Sequence, residues 1–364
     1  MPDKMKVGII GCGSIARNAY VKGIRNWDFL DLSACADLNP QAAASLAGDM
    51  NIPKSCSVDE LLNDDSIGIV LNLTTPQGHA PINLKALDAG KHVYVEKPFA
   101  LNMKEAAAVL KKARQKKLRV SAAPDTFLGS GIQTARKAVD DGLIGETTAG
   151  VLFMACGGHE TWHPSPEFYY KKGGGPLLDM GPYYLTAAVN ILGPVYRVIG
   201  AAKKTHEKRT ITSNPLNGKV IDVEVNTHIT AGLEFASGAM LTIIMSFDVN
   251  AHNLPCIELY GTKGSLVVPD PNGFGGTVKL FDRNNREAGW KEVPPVNVSD
   301  KNSRGIGAAD MAKAIMEGRP HRASAEMATH VLEIMLSIEE SARQARAVSI
   351  KSRFERPAAL TKGF

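Results

Sequence analysis

The chain has 364 residues, 44% hydrophobic and 22% charged, enough for two domains with a sizeable core. Its formal net charge of +5 comes without a long basic run; the densest patch, "KKARQKK" at 111–117, reads as a solvated helix face, so no nucleic-acid partner is expected. Five scattered cysteines (Cys12, Cys35, Cys56, Cys156, Cys256) without C-x-x-C spacing argue against a disulfide framework and a zinc site, and no segment nears the ~18 apolar residues of a membrane span.

The first residues, "MPDKM", lead straight into a strand with no secretory pattern, so a cytoplasmic protein is expected. The elements then alternate. "MKVGIIG" is an apolar strand, "SIARNAYVKGIRN" helical, "DLSACAD" a strand and "PQAAASLAGDM" a helix with Pro40 in its first turn. "IGIVLNLT", "KHVYVE" and "LRVSAA" continue as strands, separated by helical "HAPINLKALDAG" and "NMKEAAAVLKKARQKK". Strict alternation implies right-handed crossovers and a parallel sheet covered on both faces. This expected dinucleotide-binding domain spans 1–125.

The first strand–helix junction reads "GCGSIA", the pattern G-x-G-x-x-A. Gly11 makes the tight turn, Gly13 admits a pyrophosphate to the backbone, and Ala16 allows close packing. Ser14 and Ile15 open a helix whose N-terminal N–H groups face the phosphates. Asp37 ends the second strand, where a carboxylate bonds ribose hydroxyls and repels a 2′-phosphate; no Arg or Lys follows directly. That favours NAD over NADP. Asp37 lies somewhat further from the glycines than the usual ~20 residues, so a loop or capping role stays open. "TTPQGHA" and "EKP" follow apolar strands, and ligands in such sheets bind beyond the carboxyl ends.

From about residue 126 the pattern changes. A helical link, "IQTARKAVDDGLI", precedes strand-like segments: "TAGVLFMAC", "VYRVIGAAK", "VIDVEVNTHITAGLEF", "AMLTIIMSF", "CIELYGT" and "GSLVVPD". An α+β domain over 126–364 with a large, mostly antiparallel open sheet is expected, one face covered by helices and the other suited to a homodimer or homotetramer. "KNSRGIG" and "DPNGFGG" read as loops, and "AEMATHVLEIMLSIEESARQAR" as a long helix packing back on the body.

"GIIGCGSIA", "ACAD", "TTPQGH", "ALDAGKHVYVEKP" and "GGGPLLDMGPYYL" together resemble the glucose–fructose oxidoreductase / inositol dehydrogenase family, Gfo/Idh/MocA, over about residues 5–350. The resemblance implies an NAD(P)-dependent oxidoreductase acting on sugars, polyols and related hydroxy compounds. It makes Lys97 the contact to substrate and nicotinamide ribose and Lys97–Pro98 a cis bond. The expected cofactor-binding set is Gly11, Gly13, Ser14, Ile15, Asp37, Thr74, Thr75, Pro76, His79, Glu96 and Lys97. Gln77 replaces the family's common asparagine in T-P-N-x-x-H.

Family members carry G-G-G-x-L-x-D-x-G-x-H, whose aspartate and histidine bind substrate. Here Asp179 matches, and Tyr183 stands at the histidine, one helical turn on. Members resembling glucose–fructose oxidoreductase and dihydrodiol dehydrogenase also have tyrosine there. Hydride removal from a C–H(OH) carbon requires the hydroxyl proton to leave. A phenol with pKa ~10 is a poor base alone, but a nearby ammonium and the nicotinamide charge favour its phenolate. Lys97, Tyr183 and Asp179 are therefore the expected catalytic residues. Upstream, "GGHETWHPSPEFYY" could roof a pocket: Trp162 offers a flat face to a sugar ring, and His163 is the fallback proton acceptor. No metal is expected, because His159, Glu160 and His163 fall in a loop. The other reading is a non-catalytic NAD(P)-sensing regulator of the same fold.

Overall fold

The computed structural model describes residues 4–360. The chain forms two compact units, each discontinuous in sequence: residues up to Gly129 together with Ser299–Leu332, and Ser130–Val298 together with the segment from Glu333 onward.

The first unit is built on six parallel strands, β1 (Met5–Ile10), β2 (Leu30–Ala36), β3 (Lys54–Cys56), β4 (Ile69–Asn72), β5 (His92–Val95) and β6 (Val120–Ala122). Their order, β3-β2-β1-β4-β5-β6, is the doubly wound dinucleotide arrangement. β4 is buried at every position, as strands covered on both faces must be. The helices are α1 (Val21–Ile24), α2 (Pro40–Met50), α3 (Val58–Leu62), α4 (Pro76–Asp88) and α5 (Met103–Lys116). Their starts are marked locally: Asn39 and Asn102 cap α2 and α5, and Ser57 with Glu60 forms a capping box on α3. The sixth strand, β3, escaped the sequence pattern because it has three residues and lies mostly exposed.

Residues 299–332 return to this unit. Asp125 Oδ2 accepts the N–H groups of Gly305 and Gly307 at 2.8 and 3.0 Å, which ties the start of the helix Ile306–Glu317 to the end of β6. Ser121 Oγ donates to the Ala323 carbonyl at 2.6 Å. "KNSRGIG" is thus the lead-in to a helix.

In the second unit, α6 (Ser130–Asp140) precedes β7 (Thr147–Ala155), and α7 (Pro176–Leu192) precedes β8 (Val195–Lys203). β9 (Lys208–Thr210) and β10 (Val220–Asp222) form a small separate sheet. β11 (His228–Phe235), β12 (Met240–Ser246), β13 (Ile257–Gly261), β14 (Gly264–Val268), β15 (Val278–Asp282), β16 (Trp290–Val293) and β17 (Val348–Ser349) complete a nine-stranded sheet with β7 and β8. All its pairings are antiparallel except β7 with β12. "VIDVEVNTHITAGLEF" therefore breaks into β10 and β11, which serve different sheets. α6 and α7 cover one face of the large sheet. The other face follows the strict alternation of β11 and carries Ile199, Met240, Tyr260 and Trp290 exposed.

Candidate active site

The carboxyl edge of the parallel sheet gathers three turns. After β1, Gly11 has φ +100°, and a Cβ there would sit 2.6 Å from the Leu73 carbonyl, so only glycine fits between the loops that follow β1 and β4. Gly13, Ser14 and Ile15 form the exposed tip, and nothing lies within 4 Å of a Cβ placed on Gly13. The backbone then takes an i→i+5 turn over Ala16–Tyr20 before α1, with the Val21 N–H donating to the Ala16 carbonyl. Asp37 Oδ2 accepts the Cys12 N–H at 2.8 Å and Oδ1 accepts the Asn39 N–H at 2.9 Å. Asp37 also lines a cavity of ≈ 450 Å³ with Leu38, Ser57, Ile82 and Lys85. Glycine tip, helix N-terminus and an acid bonded to the glycine loop together fit a dinucleotide. After β4, Thr74 Oγ1 donates to Asn72 Oδ1 at 2.7 Å, Thr75 is the N-cap of α4, and Pro76 is its first residue.

After β5 comes the Glu96–Pro98 turn, with a cis Lys97–Pro98 bond. Glu96 is buried. Its Oε2 accepts the Lys97 backbone N–H at 2.7 Å, and its Oε1 accepts the Tyr20 hydroxyl at 2.6 Å. Lys97 itself is half-buried. On the other side of the turn, His79 Nδ1 lies 2.7 Å from the Pro98 carbonyl and Nε2 3.0 Å from the Thr74 carbonyl. Burial lowers the His79 pKa against the pull of those carbonyls. The neutral ring carries one N–H and donates to only one of these two carbonyls, so this expected cofactor residue links the β4 and β5 loops through a single hydrogen bond.

In the second unit, Asp179 and Tyr183 lie on α7, Asp179 half-buried and Tyr183 buried. Pro182 removes the N–H that would bond the Leu178 carbonyl one turn back, beside Asp179. The preceding glycines permit a close backbone approach: a Cβ on Gly174 would lie 2.5 Å from the Phe168 carbonyl, and the Gly175 N–H donates to the Tyr169 carbonyl at 2.7 Å. The glycine run therefore packs against the turn at 167–170.

His159 Nε2 lies 3.7 Å from Asp179 Oδ2, and His159 Nδ1 lies 3.9 Å from Cys156 Sγ. Burial opposes charge on this ring, but Asp179 and Cys156 outweigh it and raise its pKa to about 9. Tyr169, Phe247 and Trp162 surround the ring with centroids at 4.0, 4.5 and 5.3 Å. Next to it, Glu160 bonds Arg209 and the Tyr170 hydroxyl, and Arg209 also pairs with Asp248. His163 Nδ1 accepts the Ser165 N–H at 3.0 Å, and burial lowers its pKa. His159, Glu160 and His163 thus go to three different partners. Trp162 is 61% exposed.

Residues 5–123 match the model of an oxidoreductase family with an NAD-binding Rossmann fold, and residues 132–267 match the GFO/IDH/MocA C-terminal domain. The chain belongs to the Gfo/Idh/MocA oxidoreductases. It is 29% identical to a dTDP-3,4-didehydro-2,6-dideoxy-alpha-D-glucose 3-reductase of Streptomyces violaceoruber, over 78% of this chain and 86% of the relative. It is 25% identical to a levoglucosan dehydrogenase of Pseudarthrobacter phenanthrenivorans, over 78% and 80%. Among solved structures, a levoglucosan dehydrogenase in complex with NADH and L-sorbose superposes with a TM-score of 0.83 at 22% identity, covering 96% of this chain and all of that one.

As a Gfo/Idh/MocA chain, the protein has an N-terminal NAD-binding Rossmann domain. Two features of its site were not legible. His159, placed by the sequence in a loop over a candidate pocket, reaches Asp179, and nothing in the loop's pattern marked that partner. Tyr20 reaches Glu96 across the sheet, and its spacing from the glycine loop carries no signal for that contact.

Proposed function

We propose that this protein is an NAD-dependent dehydrogenase or reductase acting on a sugar, polyol or sugar derivative at a carbon bearing a hydroxyl or carbonyl. When bound, the nicotinamide supplies or accepts the hydride at its C4. Lys97 polarises the reacting oxygen, and Tyr183 takes the hydroxyl proton in oxidation or returns it in reduction. Asp179 accepts hydrogen bonds from neighbouring substrate hydroxyls, its orientation and charge maintained by His159. The observation that carries this reading is the Glu96–Pro98 turn. It ends a strand of the NAD-binding sheet and fixes the Lys97 backbone through buried contacts on both neighbouring residues. The names of the relatives, a keto-sugar reductase and an anhydrosugar dehydrogenase, support the substrate class.

The test is NADH oxidation against a panel of keto sugars and NAD reduction with sugars and polyols. Lys97→Ala should lower kcat/KM by about 10²–10⁴-fold and Tyr183→Phe by about 10²-fold. Unchanged turnover in Lys97→Ala removes the assigned role. Tight NAD binding with no turnover across the panel favours the sensing reading.

Asp37 supports NAD over NADP, since its carboxylate is held at the glycine loop by the Cys12 N–H and the residue also lines a cavity. Lys85 and Asp59 line the same cavity. Asp37→Ser should raise NADP use at least ~10-fold relative to NAD, and an unchanged ratio refutes the selectivity argument. The exposed apolar residues on the uncovered sheet face support self-association into a dimer or tetramer, which light scattering measures directly. Five free cysteines fit a reducing, cytoplasmic setting, and among the described residues no helix is long and apolar enough to cross a membrane.

A further inference from the structure

Tyr20 lies in the i→i+5 turn that leads out of the glycine loop, and it is fully buried. Burial, reinforced by the Glu96 charge, holds its phenol pKa well above the ordinary value, so the group is a permanent O–H donor. That proton goes to Glu96 Oε1 at 2.6 Å, while Glu96 Oε2 holds the Lys97 backbone N–H at 2.7 Å. Tyr20 is itself braced. Its ring meets Tyr94 edge-on at 5.8 Å. The two hydroxyl oxygens lie 3.4 Å apart, and nearby Asp125 Oδ2 takes the Gly305 and Gly307 N–H groups. A Cβ on Gly307 would lie 2.9 Å from the Tyr94 ring, so the stack leaves little room for drift. A buried carboxylate with one oxygen on a phenol and the other on the next residue's N–H has no freedom to rotate.

We infer that Tyr20 is a positioning residue for Lys97: through Glu96 it fixes the backbone of the lysine and couples that turn to the helix leaving the dinucleotide loop. This rests on the reading of Lys97 as the group that polarises the substrate oxygen. The i→i+5 turn is what makes the contact. It rotates Tyr20 relative to a regular helix starting at the same glycines and delivers the hydroxyl beneath the end of β5.

The test uses Tyr20→Phe, Glu96→Gln, Glu96→Ala and Lys97→Ala in the full chain, assayed on whichever keto sugar of the panel is reduced fastest. NAD affinity is read by fluorescence quenching. Tyr20→Phe should lower kcat about 10- to 100-fold with NAD affinity within about 2-fold, a split that loss of fold would not give. In Glu96→Gln a flipped amide can still accept from the Lys97 N–H and donate to the Tyr20 oxygen. It should therefore retain at least ~10-fold more kcat than Glu96→Ala, which loses both contacts. On a Lys97→Ala background, Tyr20→Phe should have no further effect.

Three results overturn the inference while leaving the role of Lys97 intact: Tyr20→Phe within 2-fold of the parent, Glu96→Gln falling as far as Glu96→Ala, or a full Tyr20→Phe penalty on the Lys97→Ala background. An active Lys97→Ala enzyme overturns the role of Lys97 and this inference with it.

Discussion

The turn at Glu96–Pro98 and the loop at Gly157–Tyr170 each hold a polar group at the end of a strand, in different units and by different means. The turn uses neutral donors and backbone. Glu96 is met by a phenol and an amide N–H, and the Pro98 carbonyl by an imidazole. The loop uses full charges. Glu160 and Asp248 close on Arg209 beneath it, with Thr205 and Thr227 each donating to Asp248 at 2.6 Å. The first arrangement depends on residues close to strand ends. The second depends on an arginine in β9 and an aspartate after β12, 49 and 88 positions from Glu160. At the turn, a lost neutral donor leaves Glu96 with its other hydrogen bond, whereas removing Arg209 from the loop leaves two buried carboxylates without their counter-ion.

The sharpest way to break this contrast is Arg209→Leu. It strands Glu160 and Asp248, both buried carboxylates, and should destabilise the protein by about 3–5 kcal/mol in urea unfolding. A loss below ~1 kcal/mol would mean the two carboxylates relax to water, and the loop is not charge-framed.

His79→Leu is the matching change at the turn. It leaves one of the Thr74 and Pro98 carbonyls without its donor, at about 1–3 kcal/mol. Activity should fall with stability, because the same contact fixes the residue after Lys97. Full activity in His79→Leu would show that the turn holds without its clamp.

These two regions also explain what the sequence disclosed. β1, β4 and β5 are buried runs whose ends carry Gly11, Thr74 and Lys97 in order, so fold, cofactor class and the position of Lys97 followed from local pattern. β15 and β16 did not, because Val278 alone of their residues is buried and no apolar alternation marks them, and the helix Ile306–Glu317 did not, since its start is tied to Asp125 far back in the chain. The same holds for His159. Nothing in "GGHETWHP" says that Asp179, twenty positions on, will be its partner; the turn at 167–170 and the buried Arg209 cluster bring the loop there.

The His159–Asp179 pair makes the contrast dependent on pH. A histidine whose folded pKa is raised from 6.5 to about 9 contributes stability that is complete below pH 6.5 and is lost as pH rises toward 9. At 3.7 Å the pair is longer than a hydrogen bond, so the contribution should be about 1–2 kcal/mol. Wild type should therefore lose this margin over His159→Gln between pH 6.5 and 9, seen as converging thermal midpoints. Parallel curves would show that the ring stays neutral.

The smallest effect is expected at Trp162, where the loop meets solvent. Its ring rests on His159 and His163, each at 5.3 Å, and leaves a face open at the edge of the Asp179 cluster. Because the residue is 61% exposed, Trp162→Ala should change stability by no more than about 0.5 kcal/mol. If the open face stacks on the apolar side of a sugar ring, about 0.5–1.5 kcal/mol of binding is lost. KM should then rise roughly 2- to 12-fold with kcat nearly constant, as expected for binding that is uniform along the reaction. A fall in kcat at constant KM would place the indole on the reacting centre instead. A drop in the thermal midpoint would show that it braces the His159 ring, which would make the charge-framed loop more dependent on its aromatic shell than the Arg209 cluster alone implies.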